Sequence, residues 1–150
     1  MTYQIRIMTR EDCDQVYSLF KDCFAHPWSA CSIKEMFKQT GVHNLVALCK
    51  GRVIGYIGVL TVMDEGDITN VAVSPDCRRQ HVADRLLSGL IKEAREGGIR
   101  RIFLEVRRSN EAARSLYKKA GFVNTGIRKN YYDQPREDAV IMMWQDLPDE

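Results

Sequence analysis

Long hydrophobic runs, a secretion signal and a strong net charge are all missing from this sequence of 150 residues. No apolar run approaches the ~18 residues that a membrane span needs. The first residues, MTYQIRIMTREDCD, lack an apolar segment and a cleavage site. Lysine and arginine number 22 against 20 aspartate and glutamate, and a net charge of +2 gives no argument for nucleic acid. These absences predict a cytoplasmic protein that binds neither membrane nor nucleic acid.

A metal-binding motif and a disulfide framework are missing as well. The cysteines are odd in number, and no two of them form a CxxC pair. The three histidines do not complete a zinc-binding spacing with them. Buried or idle thiols in a reducing cytosol are the simpler interpretation, so we expect no metal. The cysteines are Cys13, Cys23, Cys31, Cys49 and Cys77.

The composition that is present is that of an ordinary globular protein. Hydrophobic residues make up 45% and charged residues 28%, a balance that excludes a disordered chain. The length is close to the usual size of one domain, and no repeat, low-complexity tract or linker divides it. We therefore expect a single domain over residues 1–150. Extended and helical patterns alternate throughout, which favours a layered α/β architecture.

Hydrophobic spacing places the individual elements. Strands are predicted at 3–8, 45–49, 53–62, 68–73, 101–106, 123–127 and 138–144. Helices are predicted after a capping box formed by Thr9 and Asp12, after a second box at Ser32 and Glu35, over residues 82–96, and from Asn110 to about residue 120. In the strand at 101–106, alternation places Ile102, Leu104 and Val106 on one face and Phe103 and Glu105 on the other.

Two polar segments are open to more than one interpretation. The acidic run DEGD at 64–67 is typical of a solvated turn, although it could attract a basic peptide. The run RKNYY at 128–132 mixes basic and aromatic residues, and a polar hairpin tip explains it better than a nucleic-acid surface does.

A strand, a proline-containing turn, a basic loop and a long helix follow one another over residues 68–97. A loop that leads into a helix N-terminus presents unpaired N–H groups and the positive end of the helix dipole, which can hold a phosphate or diphosphate. Arg78 and Arg79 add positive charge there, although two solvated arginines in an ordinary connection would look the same. Neither GxxxxGK[ST] nor GxGxxG occurs, so the loop is of neither common nucleotide-binding type.

The run NVAVSPDCRRQHVADRLL, residues 70–87, resembles the coenzyme-binding motif of the GNAT family of N-acetyltransferases. LEVRRSNEAARSLYKKAGF, residues 104–122, resembles the strand and tyrosine-bearing helix that follow in that family. Together with HPWS and RKNYYDQPREDAVIMMW, the pattern is most similar to the branch that acetylates ribosomal-protein alanines. The resemblance covers about residues 5–144, nearly the whole chain.

This resemblance implies a fold and a set of site residues. The GNAT fold is an α/β (α+β) fold with a single mixed, mostly antiparallel central sheet, helices on both faces, and two strands splayed where acetyl-CoA enters. Glu105 matches the general base and Tyr117 the general acid. On their residues alone, Glu105 is more typical of a solvated strand position and Tyr117 of a core aromatic. The coenzyme contacts match Val71, Ala72, Val73, Arg78, Arg79, Gln80, His81, Val82, Ala83, Asp84 and Asn110.

The resemblance also implies a reaction. Acetyl would pass from acetyl-CoA to the N-terminal alanine of small-subunit ribosomal protein eighteen in the bacterial cytoplasm, without a metal. Two alternatives stay open, namely an acetyltransferase for other protein N-termini or small amines, and a non-catalytic module that senses acetyl-CoA. One departure from the pattern concerns His81, where the family usually has glycine. Because helix N-termini take negative φ, we expect His81 to have a negative φ as well.

Overall fold

The computed structural model describes residues 2–146, and its centre is a seven-stranded sheet. The strands are β1 Gln4–Ile7, β2 Val42–Cys49, β3 Arg52–Val62, β4 Glu65–Val73, β5 Arg101–Arg107, β6 Val123–Tyr132 and β7 Glu137–Gln145. They lie in the order β1-β2-β3-β4-β5-β7-β6, and only the pair β4 and β5 is parallel. The predicted mixed, mostly antiparallel sheet is confirmed.

Helices cover both faces of this sheet, as predicted. The helices are α1 Cys13–Cys23, α2 Ala30–Lys38, α3 Val82–Glu96 and α4 Glu111–Lys119. On one face, α1 and α2 pack on β2, β3 and β4 around the buried side chains of Phe20, Ile33 and Tyr56. On the opposite face, α3 and α4 pack around Leu86 and Ile102. Burial of these two apolar layers is the main stabilising contribution to the fold.

The helix ends follow capping rules, with one correction. The box at Thr9 and Asp12 is present, and the Asn110 side chain caps α4 by accepting the N–H of Ala113 at 3.1 Å. The predicted cap at Ser32 is wrong. Ser29 is the cap of α2, because its backbone is extended there and its hydroxyl accepts the N–H of Ser32 at 3.0 Å.

Two turns are shorter than predicted because strand pairing extends into them. Of the acidic run at 64–67, Asp64 lies in the turn, whereas residues 65–67 pair with both β3 and β5. At the other edge, β6 continues through Tyr131 to Tyr132, which were predicted to lie in a turn. The pairing of residues 65–67 with β5 depends on a strand that is distant in the sequence, whereas Tyr132 pairs with Glu137 across a short hairpin.

The parallel strands β4 and β5 separate soon after they meet. Their pairing covers Glu65 to Asp67 on one strand and Arg101 to Phe103 on the other. Within the described residues, β4 then continues to Val73 and β5 to Arg107 without further pairing to each other. Backbone N–H and C=O groups along the two inner edges therefore need another partner. The splay implied by the family resemblance is present.

No helix within residues 2–146 has both the length and the apolar character to span a membrane. The five cysteines are free thiols, two of them buried. In the same described range, the structure gathers no group of three or more histidine, cysteine, aspartate or glutamate side chains that could hold a metal ion.

Candidate active site

The loop between β4 and α3 forms one wall of a cavity of about 250 Å³. Ala112 and Leu116 of α4 form the opposite wall. The first N–H groups of α3 and two arginines border this space, a combination that suits a diphosphate. Seven of the predicted coenzyme residues line the cavity, namely Val73, Arg78, Arg79, His81, Val82, Ala83 and Asp84.

The other four predicted coenzyme residues do not line this cavity. Val71 and Ala72 belong to the splayed part of β4, and the side chain of Ala72 is buried against α1 and α2. The carbonyl oxygen of Gln80 accepts a hydrogen bond from the Tyr3 hydroxyl at 2.9 Å. Asn110 stands at the start of α4, where its side-chain oxygen caps the helix. The strand end at Val73, the loop and the first turn of α4 at Ala112 therefore border one cavity.

His81 corrects the sequence-based expectation. Its φ is +60° and its ψ is +23°, in the left-handed region, and Arg79 has a φ of +64°. The expectation of a negative φ was wrong because His81 is the cap residue of α3 and not its first helical residue. A cap residue has no helical backbone constraint. The His81 ring reaches forward to Asp84, with Nδ1 2.9 Å from a carboxylate oxygen.

The backbone of His81 leads to a stability prediction. His81→Gly should unfold with a free energy equal to wild type or up to about 1 kcal/mol higher, because glycine adopts a positive φ without strain. The free energy of unfolding of His81→Val should be lower than that of wild type by about 1–3 kcal/mol, since a β-branched residue is strained at a positive φ. The His81–Asp84 contact is exposed and contributes little to either change. Urea unfolding of the three proteins checks this, and equal stability of the two variants would contradict a left-handed His81.

Glu105 lies on the same face of the sheet as α1 and α2. Those helices pack on β2, β3 and β4 and leave this part of β5 uncovered. Its strand alternates as predicted, with Ile102, Leu104 and Val106 buried toward α3 and α4. The Glu105 side chain is 28% exposed, and its carboxylate oxygen is 3.1 Å from Nε of Arg128, which reaches across from β6. Glu105 is thus neither a fully solvated nor a buried carboxylate.

Asp67 is a neighbour of Glu105 that sequence reasoning placed in a turn. The parallel register sets Asp67 beside Phe103, so its side chain lies on the same face as Glu105. Partial desolvation raises the pKa of the Asp67 carboxyl, and the negative charges of Glu105 and Glu65 raise it further. Extending the strand pattern back to residue 65 would have found this carboxylate.

Tyr117 is buried on the opposite face of the sheet. Its ring packs against Phe122, with ring centroids 5.8 Å apart. Burial and, secondarily, the nearby Tyr132 raise the pKa of Tyr117 to about 12. The phenol therefore keeps its proton throughout the neutral range. Within residues 2–146, the structure contains no hydrogen bond to this hydroxyl.

The side chains of Glu105 and Tyr117 lie on opposite faces of the sheet. In a closed sheet, groups on opposite faces cannot reach the same small molecule, but β4 and β5 are open here. Burial and, secondarily, the Glu105 carboxylate raise the pKa of Tyr132, and Tyr132 in turn contributes to the raised pKa of Tyr117. Neither side chain lines the cavity beside the coenzyme loop, so the gap between β4 and β5 is the route by which one substrate could contact both.

Comparison with known proteins gives a consistent result. A family model described as "Acetyltransferase (GNAT) family" matches residues 13–122. A Bacillus subtilis protein is 41% identical over 139 residues, with 92% of each chain covered, and its name gives [ribosomal protein bS18]-alanine N-acetyltransferase as a provisional assignment. An Escherichia coli protein with that name in full is 36% identical, with 87% of this chain and 89% of that protein covered.

Solved structures agree with the sequence matches. The crystal structure of the ribosomal-protein-S18-alanine N-acetyltransferase from Escherichia coli superposes with a TM-score of 0.91 at 32% identity, covering 99% of this chain and 97% of that one. Ard1 from Thermoplasma volcanium gives a TM-score of 0.87 at 26% identity, with 99% of this chain and all of that one covered.

Proposed function

The chain belongs to the GNAT acetyltransferase family, and from that premise we propose that it transfers acetyl from acetyl-CoA to the N-terminal alanine of ribosomal protein bS18 in the cytoplasm. The GNAT family uses acetyl-CoA, and the relatives named above carry the bS18 substrate in their names. The observation that carries the proposal is the gap between β4 and β5, because a substrate in that gap could contact Glu105 from one face and Tyr117 from the other.

Acetyl-CoA would supply an activated acetyl group as a thioester. The cavity at the N-terminus of α3 fits its diphosphate, with the loop N–H groups and Arg78 and Arg79 as the binding groups. The unpaired inner edge of β4, from Val71 to Val73, offers backbone groups to the amide-containing arm. Asn110, the cap of α4, is proposed as a further coenzyme contact two residues before Ala112 of the cavity wall.

Glu105 is proposed to act as the general base. An amine attacks a carbonyl carbon only through its lone pair, so a protonated amine must first lose a proton. The Glu105 carboxylate can accept that proton, directly or through one water. Arg128 pairs with this carboxylate at 3.1 Å and fixes its position over β7.

Tyr117 is proposed to act as the general acid. When the acyl group leaves, the sulfur needs a proton, and the parent thiol has a pKa of about 8.5. The phenol of Tyr117, with its pKa near 12, is fully protonated at neutral pH and can donate its proton to that sulfur. Its burial against Phe122 holds the ring in place.

The preference for an α-amine follows from proton affinity. A protein N-terminus has a pKa of about 7.7–8.0 against about 10.4 for a lysine side chain. At pH 7 roughly a tenth of the α-amine is neutral, against a few parts in ten thousand of lysine. An N-terminal amine is therefore the easier substrate for a single carboxylate base.

A peptide panel tests the proposed substrate. With acetyl-CoA, we expect acetylation of a peptide carrying the bS18 N-terminus with free alanine, and kcat/KM at least about tenfold lower for matched peptides that begin with serine or methionine. A matched peptide with a blocked N-terminus and an internal lysine is the negative control, and mass spectrometry locates the acetyl group. Preference for lysine or for a small amine would overturn the substrate, and coenzyme binding without any acetylation would favour a sensing module.

A further inference from the structure

We propose that Tyr3 is a positioning residue that holds the loop between β4 and α3 in the shape that binds the diphosphate of acetyl-CoA. This inference rests on the proposed use of that loop for the coenzyme. Tyr3 takes no part in the proposed reaction, and it lies 77 residues before its partner Gln80 in the chain.

Tyr3 makes two contacts with the start of the coenzyme site. Its hydroxyl donates a hydrogen bond to the carbonyl oxygen of Gln80 at 2.9 Å. Its ring lies under the guanidinium group of Arg85 in the first turn of α3, 4.8 Å from the ring centroid. One half-buried side chain therefore connects the loop to the helix that follows it.

The hydrogen bond fixes the direction of one peptide group. The carbonyl of Gln80 and the N–H of His81 belong to the same trans peptide, in which the two groups point in opposite directions. Because Tyr3 holds the carbonyl on its own side, the N–H of His81 is directed away from Tyr3. His81 and the first residues of α3 line the cavity. Tyr3 thus orients a donor at the place where a diphosphate would bind.

This loop needs such an anchor because its backbone is strained. Arg79 and His81 both have left-handed φ angles, which are unfavourable for a residue with a side chain. Glycine at position 81 would adopt that conformation without cost. With histidine there, relaxation of the loop would rotate the peptide between Gln80 and His81. The Tyr3 hydrogen bond opposes that rotation.

The variant Tyr3→Phe removes the hydroxyl and keeps the ring under Arg85. We expect its dissociation constant for coenzyme A, measured by calorimetry, to rise about three- to tenfold, the usual effect of one hydrogen bond. KM for acetyl-CoA should rise by the same factor, with kcat within twofold of wild type. Acetyl-pantetheine, which lacks the diphosphate, should bind both proteins equally and react equally with both.

The matched control is Tyr17→Phe, because Tyr17 also lies under a cation, Lys21 at 4.7 Å, but does not line the cavity. It should bind coenzyme A like wild type, and thermal unfolding should show all three proteins folded. Unchanged affinity of Tyr3→Phe for coenzyme A, or an equal loss with acetyl-pantetheine, would overturn the proposal. If no peptide is acetylated, the calorimetric comparison still decides the role of Tyr3 independently of the proposed reaction.

Discussion

Replacing Glu105 with glutamine is expected to lower kcat by about 10²–10⁴-fold at pH 7, the usual contribution of a positioned proton transfer. Glutamine keeps the size of the side chain and loses the basic oxygen. KM for acetyl-CoA should stay nearly unchanged, because Glu105 lies on β5 and does not line the coenzyme cavity. Steady-state kinetics with the alanine peptide, under conditions where chemistry limits turnover, measure the effect.

The pH dependence separates a base from a structural role. Above about pH 8 the α-amine is mostly neutral, so the deficit of Glu105→Gln should shrink as pH rises. The matched control is Glu65→Gln, since Glu65 also pairs with an arginine on the sheet, Arg101 at 3.1 Å. The control should retain near-normal kcat. If Glu105→Gln stays within a few-fold of wild type at pH 7, another group is the base, and the neighbouring Asp67 is then the first candidate.

Local patterns were sufficient where one element determines its own structure. The apolar stripe of α3 predicted its buried face, with Leu86, Leu87 and Leu90 in the core. The alternation of β5 predicted which side of the sheet Glu105 occupies. Hydrophobic periodicity carries both signals, because a helix and a strand repeat at different intervals.

Local patterns did not predict features of the structure that depend on contacts with a distant part of the chain. The backbone of His81 depends on the path of the whole loop, and the hydrogen bond from Tyr3 joins segments far apart in sequence. The strand start at Glu65 depends on pairing with β3 and β5. None of these contacts leaves a periodic trace, so only the folded chain reveals them.

The roles suggested for Glu105 and Tyr117 came from family resemblance and not from their own patterns. Burial of Tyr117 is compatible with an ordinary core aromatic, and an ion pair at Glu105 with an ordinary surface carboxylate. Their proposed roles depend on the gap between β4 and β5, a feature of sheet pairing that a sequence pattern does not encode. Substitution experiments are therefore the decisive measurement for both residues.

Tyr117→Phe should lower kcat by about 10²–10⁴-fold while the affinity for coenzyme A stays within a few-fold of wild type. Phenylalanine keeps the ring that packs on Phe122 and removes the proton that would go to the leaving sulfur. Unlike the Glu105 deficit, this loss should stay constant from pH 6 to about pH 10, because burial first, and Tyr132 second, raise the pKa of Tyr117 to about 12. The ratio of kcat of the variant to kcat of wild type, plotted against pH, measures whether the loss is constant.

The same raised pKa predicts a change in stability at high pH. The unfolded phenol titrates near 10 and the folded one near 12, so the folded protein retains a proton that the unfolded chain releases. The contribution of the protonated Tyr117 to the free energy of unfolding is therefore fully present below pH 10 and is lost as pH rises from about 10 to 12. Tyr117→Phe should unfold with a shallower loss of stability across that range than wild type or the control Tyr17→Phe. An equal slope of unfolding free energy against pH for the variant and wild type would mean that the phenol is hydrated in the folded protein. In the kinetic experiment, near-normal turnover of Tyr117→Phe would exclude Tyr117 as the general acid.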